Sequence, residues 1–254
     1  MGNTHFEKGM IKIKSEMHSE VSVRATLLAE MRNGIFANCD RLPRETVLSD
    51  KLGISRTQLR DVLGALEQEG YVTRRLGVGT LINHHVLDVK SRMDIEAEIL
   101  DIVRNNGYEA EVVYLEAKEE KADEEIAQRL QIEEGSTIIK VSKLCLADGK
   151  PALYFEDILD AELVKEAYVA EDLKNPIFHF LKEKCHVEAY MDLTQLKAVA
   201  ADENIAKILQ VSPGTPLLNM EEVDYDIEVN IVFYSRQFFV NGMFEQTVLR
   251  KRLY

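Results

Sequence analysis

Apolar residues fall at spacings of three and four near the start of the chain and at alternate positions in several later stretches. Val23, Leu27, Leu28, Met31 and Ile35 describe one face of a first amphipathic helix, with Gly34 marking its end. Leu42-Pro43 introduces a short second helix that carries Leu48 and Leu52 on one face and stops at Gly53. Ser55-Arg56-Thr57-Gln58 reads as a capping box, after which Leu59, Val62, Leu63 and Leu66 form the buried stripe of a third helix, closed by Gly70. Two helices joined by a tight glycine-containing turn make a helix-turn-helix. The period then changes to two: Tyr71 to Arg75 and Thr80 to Ile82 flank Leu76-Gly77-Val78-Gly79, a hairpin with a glycine-rich, basic tip, which is a wing. The first twenty residues are polar, apart from an alternation over Met10 to Lys14, and read as a tail or small edge strand.

The second part of the chain repeats itself at an offset of 79 residues. Ala122 to Ile132 recurs as Ala201 to Val211, and Gly135 and Gly214 keep the same register. Each copy reads as a helix, a glycine turn and a β-hairpin, one folding back at Asp148-Gly149 and the other near Asp226. Two copies point to a pseudo-symmetric α+β domain with a cleft between its halves, and away from a solenoid. The expected organisation is a tail over 1–20, a DNA-binding domain over 21–83, a linker over 84–93 and an effector-binding and dimerisation domain over 94–254.

Charge sharpens this division. The chain of 254 residues carries a formal charge of −13, which by itself argues against nucleic acid. Residues 1–85, however, hold 12 Lys and Arg against 10 Asp and Glu, and the remainder holds 19 against 34. A basic-leaning head on an acidic body fits a DNA reader. No apolar run approaches the roughly 18 residues that cross a bilayer. Three scattered cysteines are no disulfide framework, the start lacks a secretory leader, and its resemblance to a myristoylation signal fails at Phe6, so a reducing cytoplasm is expected.

A helix entering the major groove presents its first turns to base edges, where Arg binds guanine and Gln binds adenine. Arg56, Thr57, Gln58 and Arg60 point away from the leucine stripe and suit that role, although a solvated helix face would look the same. The whole string is more specific: Leu42-Pro43-Arg44-Glu45, Ser55-Arg56-Thr57-Gln58-Leu59-Arg60, Leu66-Glu67-Gln68-Glu69-Gly70 and Gly77-Val78-Gly79-Thr80. It resembles the GntR family of winged-helix repressors over about residues 22–83. The resemblance implies operator binding, with Arg56 and Arg60 as base and phosphate contacts, Thr57 as a phosphate contact and Gly77 as the close-approach glycine of a wing in the minor groove; a homodimer is expected because a single head reads too few bases and two-fold pairing doubles the contacts on a palindromic site. Ser55, Gln58, Arg75 and Gly79 complete the expected surface. Arg44, where the family favours Ser, and Thr46, where it places a longer polar contact, are departures that bear on operator sequence.

Downstream, Ala147-Asp148-Gly149-Lys150-Pro151, Asn204 to Leu209 and Pro213 to Leu218 resemble the HutC-type subgroup with its UTRA effector domain, an antiparallel sheet with helices on the chorismate lyase fold. Phosphosugar-sensing members carry polar anchors where this chain has Lys143 and Cys145, Pro176 and Phe178, Phe233 and Phe239, with Phe155 or Glu156 beyond Pro151. Buried polar groups of a ligand need partners, so this set fits a small, partly apolar, anionic effector better than a phosphosugar. Plain core packing is the alternative for the phenylalanines.

The remaining constellations carry less. Cys185-His186 and His84-His85 lack the second pair of a zinc site, and Glu119 to Glu125 reads as a solvated helix start. No cofactor, metal site or catalytic motif is expected. Two other functions remain open at this point: an enzyme on the chorismate lyase fold, using Lys143, Glu156 and Arg236, and an architectural DNA-binding protein without effector.

Overall fold

A computed structural model describes residues 20–95 and 97–252, so the alternation over Met10 to Lys14 lies outside the described residues. The chain divides into two compact units: residues up to 96 together with 246–254, and residues 97–245.

The first unit holds α1 (Glu20–Arg32), α2 (Glu45–Leu52), α3 (Arg56–Gln68) and a hairpin of β1 (Val72–Arg75) and β2 (Gly79–Ile82). Val23, Leu27, Leu28 and Met31 from α1, Leu48 and Leu52 from α2, and Leu59, Val62, Leu63 and Leu66 from α3 share one core. Ile35 departs from expectation. The helix ends at Arg32, the Glu30 backbone oxygen accepts from the Phe36 N–H, and Phe36 enters the core in place of the exposed Ile35. The second helix begins at Glu45, after Pro43, and Gly53 ends it in the left-handed region at φ +67°.

The expected linker over 84–93 is part of this unit. His84–Leu87 form a short helix, α4, whose Leu87 is buried in the core, and the His84 ring nitrogen lies 3.0 Å from the Cys39 carbonyl oxygen. The expected domain over 94–254 likewise gives up its end. Arg92 bridges to Thr247, the Ser91 hydroxyl donates to Gln246 at 2.8 Å, and the Leu249 N–H donates to Asp94 at 3.2 Å. Lys251 donates to the backbone oxygens of Glu67 and Gln68 at the end of α3. Leu249 packs on Gly70, which the left-handed φ of +84° selects; a Cβ there would stand 2.3 Å from the Leu249 Cδ2 and make that side chain shift. The physical reason is local: a helix C-terminus has unpaired carbonyls and a partial negative charge, which an ammonium satisfies. The second unit is therefore an insertion between two segments of the first.

That second unit contains α5 (Ile99–Asn105), β3 (Ala110–Lys121), α6 (Glu124–Leu130), β4 (Thr137–Ala147), β5 (Lys150–Asp160), α7 (Ile177–Phe180), β6 (Met191–Ala200), α8 (Glu203–Leu209), β7 (Pro216–Tyr225) and β8 (Ile231–Val240). One antiparallel sheet runs β3-β4-β5-β8-β7-β6. The sequence repeat is a structural one: strand, helix and hairpin occur twice and meet at β5 and β8. Asp123 and Asp202 cap α6 and α8 identically, accepting from Ile126 and Ile205 N–H, and Gln131 and Gln210 both turn at φ +55°. The flanking strands β3 and β6 are additions to the reading, and Glu119 and Glu120 belong to β3 instead of to a helix start. The architecture is α+β.

One sheet face packs on α7 and the π-helical turn after it, through Ile139, Val141, Leu159, Phe180, Leu181 and Phe233. The other is covered by α6, against Ile138, Ile158, Val223 and Tyr234, and by α8, against Leu144, Tyr154 and Leu217. A chain ending at Glu245 is expected to lose about 1–2 kcal/mol of first-unit stability, from the α3 terminus and the apolar cover of Leu249. Urea denaturation of the two chains, followed by amide exchange in α3, checks this; equal midpoints and equal exchange would show the tail to be passive.

Candidate nucleic-acid interface and effector cleft

The third helix meets the requirements of a reading helix at its N-terminus. Ser55 caps it, its hydroxyl accepting from the Gln58 N–H at 3.1 Å, and Arg56 and Thr57 are exposed on its first turn while Gln58 is half-buried. Arg60 is exposed one turn on, but its Nε donates to Glu45 at 2.8 Å, so a phosphate or base must compete with that carboxylate. Arg44 occupies the cap position of α2 and makes no side-chain cap bond, so that helix start lacks what a Ser would supply, and Arg44 and Thr46 are left exposed.

The wing is held at both ends. Glu67 of α3 accepts from the Arg74 backbone and side chain, each at 2.7 Å, and Arg41 reaches the Val78 carbonyl at 3.3 Å. Arg75 is exposed, and Gly77 and Gly79 turn the tip at φ +76° and +104°. No atom lies near either glycine, so backbone conformation and not space selects them. Leu76 stands fully exposed at the tip. The sequence reading missed it and Arg41; the signal for Leu76 was an apolar residue inside a glycine turn, where no core can reach it.

In the second unit, the side-chain alternation of the strands brings most of the expected effector residues to one face. Lys143, Phe155, Phe233 and Phe239 are buried there with Cys145, and Phe178 of α7 meets Phe233 edge-on at 5.7 Å. Lys143 is only 2% exposed and donates to the Asn175 carbonyl at 2.5 Å. Burial pushes its pKa down, while the charges of Asp157 and Glu98 pull it back. Burial also lifts the Cys145 thiol to about 11, which leaves it neutral and unreactive.

Glu156 is on the other face. It follows Phe155 in a strand, so it points the opposite way, and it pairs with Lys140 at 2.6 Å. Its neighbour Asp157 takes its place beside Lys143. Asp157 is buried, accepts from the Ser235 hydroxyl at 3.1 Å and has its pKa raised from 3.8 to about 6, chiefly by burial, with Lys143 and Ser235 opposing. Asn175, Asp157 and Ser235 were not anticipated. An acid inside the apolar run Leu153 to Leu159 was the legible sign. Among the described residues no group of His, Cys, Asp and Glu is arranged to hold a metal ion, and no helix is long and apolar enough to cross a membrane.

A capped reading helix with a basic wing, joined to a sheet domain with a mixed polar and aromatic interior, defines a winged-helix DNA-binding regulator. Family models agree: residues 20–82 match the bacterial regulatory proteins of the gntR family and residues 105–245 match the UTRA domain. The chain belongs to the GntR-family transcriptional regulators that carry a UTRA effector-binding domain. It is 24% identical over 211 residues to the regulator GgaR of Escherichia coli K12, covering 83% of this chain and 82% of that one. The histidine utilization repressor of Pseudomonas putida is 22% identical over 198 residues, 77% of each chain. Among solved structures, the possible transcriptional regulator YydK of Bacillus subtilis superposes with a TM-score of 0.75 at 18% identity, covering 92% of this chain and all of that one.

The buried Asp157 carries a pH signature. With a folded pKa of about 6 against an ordinary 3.8, the folded state holds a proton that the unfolded chain has released, so this group's contribution falls as pH rises from about 4 to 6. The full cost above that window is about 3 kcal/mol. Asp157→Asn removes this dependence, and its stability relative to the parent should rise between pH 4 and 6 and then level off. Thermal melts of both proteins across the window check it; a constant difference would mean an ordinary carboxylate.

Proposed function

We propose that the chain is a repressor that binds palindromic operator DNA as a homodimer and is released by a small molecule in the cleft around Lys143. The observation that carries the DNA reading is the first turn of α3, where Arg56 and Thr57 are exposed beyond the Ser55 cap and Arg75 stands on the wing. Relatives named as repressors, among them the histidine utilization repressor of Pseudomonas putida, support the direction of regulation. A regulator is favoured over an enzyme because the polar groups at Lys143 are engaged with one another, and the cytoplasm is where such a protein meets its DNA.

The effector proposed is small, partly apolar and anionic. Lys143 supplies the cation once it leaves the Asn175 carbonyl, Phe178, Phe233, Phe155 and Phe239 supply apolar walls, and Cys145 adds a neutral thiol. Such a ligand acts only if it binds one of two dimer states more tightly than the other.

The gel shift of DNA from upstream of its own gene tests the first part. Arg56→Ala should weaken specific binding by about 1–3 kcal/mol, as loss of a base contact does. Arg75→Ala should weaken all sequences alike and flatten the salt dependence. Unchanged affinity in Arg56→Ala would sink the reading-helix assignment.

For the dimer, the edge strand β6 leaves Met191, Leu193 and Leu196 exposed, an apolar strand edge suited to a second copy. Sedimentation at micromolar concentration should show a dimer that Leu193→Lys with Leu196→Lys converts to monomer. A monomeric parent would contradict the proposal.

A further inference from the structure

The sheet face opposite Lys143 carries a polar row that no part of the DNA reading uses. Glu116, Ser142, Glu156, Arg236, Glu221 and Gln195 are successive register partners across all six strands. The rows on either side are apolar where Ile158, Tyr234 and Val223 lie under α6 and where Leu144, Tyr154 and Phe238 lie under α8, with Lys140 and Lys197 farther along them, so this row is the strip between the two repeated helices.

Charges on the strip do not balance. Lys140 at 2.6 Å and Arg236 at 3.5 Å share Glu156, while Arg129 at 2.6 Å and Lys197 at 2.7 Å share Glu221. Around Glu156 and Glu221 four cations meet two carboxylates, with Glu116 of the same row met by Lys118, in a unit that as a whole holds far more acid than base: 14 Lys and Arg against 31 Asp and Glu over residues 97–245. The carboxylates are 12% and 9% exposed and the four cations 15% to 43%, so the surplus is positive charge on the side of the pairs that solvent still reaches.

A second, independent observation points the same way. Among the described residues, the Tyr234 hydroxyl is a buried donor without a hydrogen-bond acceptor, and the buried Arg236 Nε, 3.5 Å from Glu156, makes no hydrogen bond of good geometry; both belong to this cluster. The guanidinium carbons of Arg129 and Arg236 lie 5.5 Å and 6.0 Å from the centre of the Tyr234 ring. Burial lifts the Tyr234 pKa to about 12, so its proton stays available for donation. Buried donors that no protein acceptor satisfies are rare and call for one from outside the chain.

We propose that this strip binds a small oxyanion, a carboxylate or phosphate group, on Arg236, Arg129 and the Tyr234 hydroxyl, with Lys140 and Lys197 completing the positive wall. The site is distinct from the cleft at Lys143, because residues that alternate along one strand face opposite sides of the sheet.

The full-length chain, titrated calorimetrically with sodium phosphate and separately with sodium succinate against sodium chloride of equal ionic strength, tests this. Saturable binding of at least one probe is expected; phosphate alone would assign a phosphate group and succinate alone a carboxylate. Tyr234→Phe and Arg129→Gln, which keep the fold's packing, should each weaken binding about tenfold, as loss of a hydrogen bond to a charged group does. The same titrations in a Lys143→Ala chain, which lacks the cation of the effector cleft, should still show binding that depends on Tyr234 and Arg129. No saturation beyond chloride with either probe overturns the proposal, as does binding that survives both substitutions. Loss of binding in Lys143→Ala alone would place the anion on the other face and equally refute this site.

Discussion

The second unit depends on the pairing of β5 with β8, the contact where its two halves meet. Each half is a strand, a helix and a hairpin, and three strands with one helix bury only part of an apolar face. Antiparallel pairing of Leu153 to Ile158 with Tyr234 to Phe239 makes one six-stranded sheet with covered faces on both sides. The register of that pairing also fixes chemistry on each side. Asp157 is set opposite Ser235 on the face of Lys143, and Glu156 is set opposite Arg236 on the face of α6 and α8. A slip of one residue would exchange the two faces and bury both sets wrongly.

How much was legible follows from which residues carried a periodic signal. The stripe of Leu59, Val62, Leu63 and Leu66 and the Ser55 cap announce α3 because local propensity, capping and burial agree there. The repeat was visible because both copies keep the same capping aspartate and the same turn. Edge strands are another matter. In β3 the charged Lys118, Glu119 and Glu120 hold an edge that must stay polar, so the strand has little apolar face to show and reads as a charge run. Ile35 was misplaced by a turn after Arg32, which periodicity does not see.

Which residues share the candidate cleft was half legible for a related reason. Lys143 and the phenylalanines were found by position in a family pattern, but Glu156 and Asp157 differ only in which way the strand points them, and one residue of register decides between two faces. The docked tail was not legible at all. Its value lies in contacts distant in sequence, such as Leu249 on Gly70 and Lys251 on the carbonyls of Glu67 and Gln68. A polar segment of that kind has no signature until its partner is known.

Charge decides how such a protein can hold DNA. The first unit carries 17 Lys and Arg against 13 Asp and Glu once the tail with Arg250, Lys251 and Arg252 is counted with it, a small surplus for a phosphate-binding surface. Several of those cations are already spent within the protein: Arg24 on Glu69, Arg60 on Glu45, Arg74 on Glu67 and Arg92 on Asp94. Affinity resting on bulk charge would therefore be weak, and each phosphate neutralised contributes to a steep salt dependence. On the proposed reading the exposed Arg44, Arg56 and Arg75 would act by position, and the proposed dimer would double them without making the chain basic.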